Sequence, residues 1–461
     1  MLSLNTKIHV RLLTCLVGTL LSLPLRGESY PDQFFTLKGA DSLITYAEAI
    51  NNLIASQDRR SLQLAENQTT GYIIFKPQTV PFPFNYGLPS WNGSSPENNA
   101  YFKVFVRFPY AGAWSPWLTV GYWDKEWGSS YGTRTWDDGT IDIDEIKLFS
   151  YYTTFQMSVY LYRANTTVES PTLRRISLML SDTRTTAELD YNAIVNDKPP
   201  YIFIPTTFYY QYGLDPEIGG SICSPTSVSM ILRSFGIEVD PLQFAIATKD
   251  PYWGIYGVWP RNVQHAAEYG LDGAVKQYRT WSQAYEVLAQ GGRIAMSVGK
   301  PLYTGHLMML AGFTSDGRPI VHDPAKSAGY GYIFDKSDLS HSWFDKGGVG
   351  YTFFLDSTKL NIEHKRLENP ALAQEFVTIR NYPNPFNLST TLLINIGQSG
   401  NYKIQVIDVN GHCVADYGQH NYQPGILSFQ FSGIGLASGV YFVTVSNPHG
   451  QHWAARLLLL K

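Results

Sequence analysis

The spacing of apolar residues changes twice along this chain, and this constrains its fold more than any other feature. Phe102, Val104, Val106 and Phe108 alternate with Tyr101, Lys103, Phe105 and Arg107. Phe155, Met157, Val159 and Leu161 alternate with Gln156, Ser158, Tyr160 and Tyr162. Period two is that of strands with one face in a core. After Cys223 the spacing becomes helical: Val228, Ile231, Leu232 and Phe235 fall at i, i+3, i+4 and i+7, and Gly236 ends the run as a C-terminal cap would. Short strand-like runs return in the tail. A chain of 461 residues has room for two to four domains, and the changes of period predict where they lie.

The expected organisation is multidomain. Residues 1–27 read as a signal peptide: Lys7, His9 and Arg11 precede an apolar run from Leu12 to Leu25, with Gly27 near its end. That run is too short for a comfortable membrane span. Residues 28–197 are expected to form an antiparallel β-sandwich accessory domain. Asn92-Gly93-Ser94 and Asp137-Asp138-Gly139 serve as its turns, and a short helix runs from Asp41 to Ala55 with Leu43, Ala47, Ile50 and Ile54 on one side. Residues 198–358 form an α+β domain. Its helices start at Cys223, near Pro260 (closing at Gly270) and at Thr280 (ending at Gln290). Strands follow at Ile294–Val298, Leu307–Phe313 and Ile320–His322. Residues 359–378 are a charged linker. Residues 379–461 form a small β-sandwich, with strands Thr391–Ile396, Tyr402–Val409, Ser428–Phe431 and Val440–Val445 and a turn at Asp408–Gly411.

Composition excludes several function classes. A net charge of −3 implies no basic face, so nucleic acid is not an expected partner. There is no Cys-x-x-Cys pair, no His-x-x-x-His and no glycine-rich phosphate loop, so neither metal nor nucleotide cofactor is expected. Of three cysteines, Cys15 leaves with the signal peptide. Cys223 and Cys413 fall in different domains, which argues against a bridge between them. The aromatic content of 14% suits β-rich cores. Trp91, Trp114, Trp117, Trp123 and Trp127 could instead line a sugar-binding face, and packing is the favoured reading.

Cys223 opens its helix, with Pro225 in the first turn. The partial positive charge and free N–H groups of a helix start favour thiolate over thiol. A thiol nucleophile also needs an imidazole, a group that orients it, and donors for an oxyanion. His306 opens an apolar strand, Asp323 ends the next, and Gln211 lies upstream of the cysteine. Each has a plainer alternative: an inert buried thiol, a core histidine, a turn-starting Asp-Pro and a surface amide. Their order within one domain favours the catalytic reading. A tight turn at Asp316-Gly317 would leave Asp323 opposite Leu310, four residues beyond His306. Contact then requires a turn nearer Thr314-Ser315 or a bulge. His322 is expected to face the other way, and His265 to be structural.

The stretch from about Tyr209 to Phe354 resembles the papain-like, double-glycine-leader cysteine peptidases, in their stand-alone secreted branch. The matching pieces are Gln211, Cys223-Ser224-Pro225-Thr226-Ser227, Gly254-Ile255-Tyr256-Gly257-Val258-Trp259-Pro260, Gly305-His306 and His322-Asp323-Pro324-Ala325. The resemblance implies a papain-like fold, Cys223 as nucleophile, His306 as general base and acid, Asp323 as its orienter and Gln211 in the oxyanion hole. Gln211 lies twelve residues before the cysteine, with Gly219-Gly220 between, and departs most from the pattern. The tail resembles the C-terminal sorting domain of type IX secretion, in Tyr382-Pro383-Asn384-Pro385-Phe386-Asn387, Val406-Ile407-Asp408-Val409-Asn410-Gly411, Gly435-Leu436-Ala437-Ser438-Gly439-Val440-Tyr441-Phe442 and the closing Leu457–Lys461. This implies a Gram-negative source, a partner in the secretion machinery and a secreted or cell-surface location. The expected function is cysteine-peptidase hydrolysis of a protein or peptide substrate without a cofactor. The alternatives are an amidase or acyl-transferase on the same fold, a transglutaminase-like cross-linker, and an inert adhesin that binds glycan through its N-terminal domain.

Overall fold

Phe102, Val104, Val106 and Phe108 are fully buried, as are Phe155, Val159 and Leu161, so period two does place one face of each strand in a core. The computed structural model describes residues 32–96, 99–123, 132–356, 377–382, 385–396, 399–422, 425–448 and 450–460. The expected signal peptide and most of the expected linker lie outside the described residues.

The N-terminal region is built on four long antiparallel strands: β1 (Gln78–Ser94), β2 (Ala100–Arg107), β3 (Glu145–Arg163) and β4 (Thr172–Ser181). The first half of β3 pairs with β1 and its second half with β2, so one strand passes from one sheet to the next. Side chains from both fill a single core that includes Phe84, Trp91, Phe102 and Phe155.

Two local expectations fail here. The helix expected over Asp41–Ala55 is only Gly39–Thr45, followed by strands Ala47–Asn51 and Leu53–Ala55. Its helical spacing is a coincidence: Ile50 and Ile54 are exposed, and Asn52 has φ 55°, which no right-handed helix accommodates. Asn92-Gly93-Ser94 is no turn but the end of β1. The tryptophans pack, which was the favoured reading, and do not line one sugar-binding face. Trp91 and Trp123 are buried, Trp114 and Trp117 flank the Arg107 guanidinium at 4.8 and 4.2 Å, and Trp127 lies outside the described residues. Asp137-Asp138 does make a two-residue hairpin, between Trp136 and Gly139.

The central region is α+β. Its elements include helices α1 (Cys223–Ser234) and α2 (Trp259–Glu268), with the helix Pro241–Thr248 between them, then strand β5 (Leu271–Gln277), then α3 (Trp281–Ala289). The Thr280 hydroxyl caps α3 by accepting the Gln283 N–H at 3.1 Å. Strands β6 (Arg293–Val298), β7 (His306–Phe313) and β8 (Pro319–His322) follow, then α4 (Lys336–Phe344) and β9 (Val349–Leu355). The antiparallel sheet runs β7-β6-β9-β5, with β8 and the short strand Ile202–Phe203 also on β7. The α1 stripe packs on it: Val228, Ile231 and Leu232 share a core with Met308, Leu310 and Tyr351.

β5 ends this sheet, and its free edge is covered by the N-terminal region. The Asn92 side chain accepts the Gly273 N–H and donates to the Gly273 carbonyl, both at 3.0 Å. The Ser90 hydroxyl accepts the Val275 N–H at 3.1 Å. Side chains therefore do what a further strand would do for an exposed edge. Ion pairs Arg175–Asp272 (2.8 Å) and Arg279–Asp32 (2.5 Å) flank the seam.

The tail folds as two sheets around Leu392, Ile394, Ile404, Val406, Val443 and Leu457. The expected strands are present as Ser389–Ile396, Gly400–Asp408, Gly425–Ser432 and Gly439–Ser446. The Gly411 N–H closes the turn on the Asp408 carbonyl. Cys413–Tyr422 and His452–Leu459 are further strands, unread in the sequence because their exposure leaves only a faint alternation. Cys223 and Cys413 are both free thiols.

Candidate active site

Cys223 is the first residue of α1, so its N–H has no intrahelical acceptor and points out of the helix start. The residue is half-buried. The helix is locked onto the sheet behind it. The Ser227 hydroxyl donates to the Leu307 carbonyl at 3.0 Å, and the Ser224 and Tyr351 hydroxyls meet at 2.8 Å. Both neighbours of the cysteine's turn are thus tied to strands, which holds the sulfur over the tips of β7 and β9.

His306 begins β7 and is buried. Whether Asp323 reaches it depends on register. Phe313 pairs with Pro319 and Gly312 with Ile320, but beyond a bulge at Ala311 the partners become Leu310–Val321 and Met309–His322. The bulge inserts one residue into β7 and moves Asp323 next to Met308 in register, on the His306 face. His306 Nε2 then meets Asp323 Oδ1 at 2.7 Å. Gly312 makes this possible. Its φ is 145°, and a Cβ there would lie 1.9 Å from the Ile202 carbonyl oxygen.

Asp323 is held from several sides. The Tyr303 hydroxyl donates to Oδ2 at 2.5 Å and the Ala325 N–H to Oδ1 at 3.0 Å. The Tyr303 ring also lies 4.3 Å from the His306 ring, centroid to centroid. Burial would raise the Asp323 pKa, but the His306 and Tyr303 hydrogen bonds bring it below the usual carboxylate range. Burial would likewise lower the His306 pKa. The bonds to Asp323 and to the Cys223 sulfur outweigh it and raise the value to about 9. At Cys223, burial pushes the thiol up, while the His306 hydrogen bond and charge, with N–H groups of Leu307 and Ser224, bring it below its ordinary value. All three shifts favour one state: carboxylate, imidazolium, thiolate. Since Nε2 faces Asp323, Nδ1 is the nitrogen turned to the sulfur.

Gln211 opens a short helix, Gln211–Leu214, and is buried. Its N–H donates to the Pro324 carbonyl at 2.9 Å and its Nε2 to the Gly219 carbonyl at 2.7 Å. It therefore bridges the strand end carrying Asp323 and the turn Gly219–Ser221 that leads into Cys223. Gly219 is needed here, since a Cβ would lie 2.9 Å from the Tyr212 Cα. The amide keeps a second N–H. His322 faces the other way, as expected. It bonds the Ile204 carbonyl and the Gly331 N–H, and burial lowers its pKa to about 4. His265 packs between Trp123, Phe244 and Tyr269, a structural position.

Sequence reasoning missed Tyr303, Lys346 and Asp144. Tyr303 stands three residues before His306, a proximity that could have drawn notice. Lys346 follows α4 and its ammonium lies near Gly305, while Asp144 comes from the N-terminal region and accepts the Trp259 N–H at 2.7 Å. No local pattern marks either. Among the described residues, no cluster of histidine, cysteine and carboxylate side chains could hold a metal ion.

Residues 203–351 match the Peptidase_C39 like family, residues 41–181 a Peptidase C39 N-terminal domain, and residues 380–458 a secretion system C-terminal sorting domain. No functionally curated protein matches the chain. Similar solved structures include a double glycine motif protease from an AMS/PCAT transporter in complex with its leader peptide (18% identity, 33% of this chain and 92% of that one, TM-score 0.25). A second is the C-terminal CBM6 of LamC from Zobellia galactanivorans (13%, 32% and 98%, TM-score 0.19). A third is PorZ of Porphyromonas gingivalis (14%, 36% and 22%, TM-score 0.15). None of these likenesses reaches a score that assigns a function. The chain thus carries a stretch similar to the C39-like peptidases, preceded by a C39-type N-terminal domain and followed by a secretion-system sorting domain.

Proposed function

We propose that this protein is an exported cysteine peptidase with a papain-like central domain, acting through Cys223, His306 and Asp323. The observation that carries the reading is the chain of contacts from the Cys223 sulfur through the His306 ring to Asp323 Oδ1 at 2.7 Å. The thiolate attacks the carbonyl carbon of an amide. The oxyanion is received by the Cys223 N–H and the second N–H of Gln211. As the C–N bond breaks, the imidazolium gives its Nδ1 proton to the leaving amine, and a thioester remains. The now neutral ring takes a proton from water, which attacks the thioester, releases the carboxylic acid and restores the thiolate. The sorting tail directs export by the type IX machinery and is removed on release or surface attachment.

The test is turnover of a diverse peptide library by the full chain, with mass spectrometry of the protein after brief mixing. Expected are peptide cleavage and an acyl adduct on Cys223, both absent from Cys223→Ala. Adducts formed only from glutamine side chains or peptidoglycan cross-links would replace the peptidase reading by the amidase or transferase one. A wild type that forms no adduct with any acyl donor overturns both.

A further inference from the structure

Lys346 stands beside this machinery with a charge that the protein itself does not use. It is exposed, yet protein packed around its ammonium lowers its pKa, an effect opposed by the charges of Cys223, Glu145 and Asp144. It is a cation both reachable by solvent and partly desolvated. It lies at the entry to the strand that carries His306: a Cβ added at Gly305, the residue before His306, would lie 3.9 Å from Nζ. Its hydrogen bonding is incomplete. The contact it makes is to the Val298 carbonyl at 3.5 Å, too long to hold an ammonium firmly. Among the described residues no carboxylate lies within 4.0 Å of it. The nearby acids are taken, Glu145 by Lys147 and the Tyr86 hydroxyl, Asp144 by the Trp259 N–H.

An ammonium carries three donors. A desolvated one with donors to spare, beside a nucleophile that attacks carbonyl carbon, is matched by an anion brought in with the substrate. We propose that Lys346 is a specificity-determining residue that anchors a carboxylate of the substrate, either a free C-terminus or an Asp or Glu side chain close to the scissile bond. The inference rests on the reading of Cys223 as nucleophile and adds the substrate's charge to it. Asp144 and Glu145 belong to the N-terminal region, so that region contributes charge near the ammonium.

The experiment uses the full chain and two alkylating reagents of similar size, anionic iodoacetate and neutral iodoacetamide, on wild type, Lys346→Gln and Lys346→Arg. The iodoacetate/iodoacetamide rate ratio at Cys223 should fall about three- to tenfold in Lys346→Gln, the effect of one charge several ångströms away in partly screened surroundings. Lys346→Arg should restore it. Peptide pairs then separate the sources. Free-acid against C-terminal amide peptides test the terminus, and Asp against Asn peptides test a side chain. The KM advantage of whichever acidic member is favoured should be lost in Lys346→Gln. A rate ratio equal in wild type and Lys346→Gln overturns the anchor, including the case where both reagents slow in parallel, since Lys346 then acts only on the sulfur. A ratio that responds while no peptide is cleaved keeps the carboxylate anchor and removes the peptidase reading. A Cys223 inert to both reagents removes the nucleophile and the anchor with it.

Discussion

Replacing His306 with alanine separates a paired thiolate from an ordinary buried thiol. In the folded protein the His306 pKa stands at about 9 against an ordinary 6.5. That difference corresponds to about 3 kcal/mol of preference for the imidazolium when its partners are charged. The coupling is mutual, so removing the ring removes the main influences that lower the Cys223 pKa. Burial then dominates and carries the thiol to its ordinary 9.0 or above. At pH 6 such a thiol is at most about one part in 10³ thiolate. Iodoacetamide labelling at pH 6, followed by intact mass, should therefore be slower in His306→Ala by roughly two orders of magnitude. Above the pKa of the variant's thiol the two proteins should converge, because both sulfurs are then thiolate. Cys223→Ala must show no label at this site. Equal rates for wild type and His306→Ala at pH 6 would refute the ion pair and with it the nucleophilic assignment.

Three other outcomes follow from the geometry. Tyr303→Phe removes a donor to the Asp323 carboxylate worth about 1.5–3 kcal/mol. The stability from this lowered pKa is present above the unfolded value and lost as pH falls through the folded one, so the acid-unfolding midpoint should move to higher pH; an unchanged midpoint would count against the contact. Gly312→Ala places a Cβ against the Ile202 carbonyl at a φ of 145°, and the melting temperature should drop by roughly 6–12 °C, whereas a loss under 2 °C would mean the bulge is not locked there. Asp144 is raised by burial to about 7, so its proton is bound more tightly in the fold than in the unfolded chain. Its contribution is complete below about pH 4 and lost as pH rises through 7, hence Asp144→Asn should raise the melting temperature at pH 8 and leave it unchanged at pH 4, and the reverse ordering would exclude burial as the cause.

Much of the candidate site's membership was legible in the chain. Cys223 before a helical stripe, His306 before a strand and Asp323 after the next are local features, each tied to the start or end of one element. The strands of all three regions were legible where one face is buried, as at Phe102–Phe108. They were illegible where exposure blurs the alternation, as at Cys413–Tyr422, or where both faces are covered. β5 and β9 are of the second kind: Gly273 and Gly350 interrupt their apolar runs, and their partners lie far away in sequence. The Asp41–Ala55 helix failed because a helical spacing of four apolar residues does not exclude two short strands around a left-handed Asn52.

Residue types and their order, by themselves, determined that a thiol, an imidazole and a carboxylate were available in one domain, because helix starts and strand ends are written in nearby residues. They left open whether Asp323 would touch the ring at all. One extra residue at Ala311 decided that, by shifting the strand pairing and choosing which side chain lies beside His306. Tertiary structure alone also brought Gln211 onto the Gly219 carbonyl, Tyr303 onto Asp323, and Asp144 from the N-terminal region toward Lys346. These contacts join residues whose separation in sequence says nothing of their separation in space. Hydrogen bonds and charge interactions depend only on the latter.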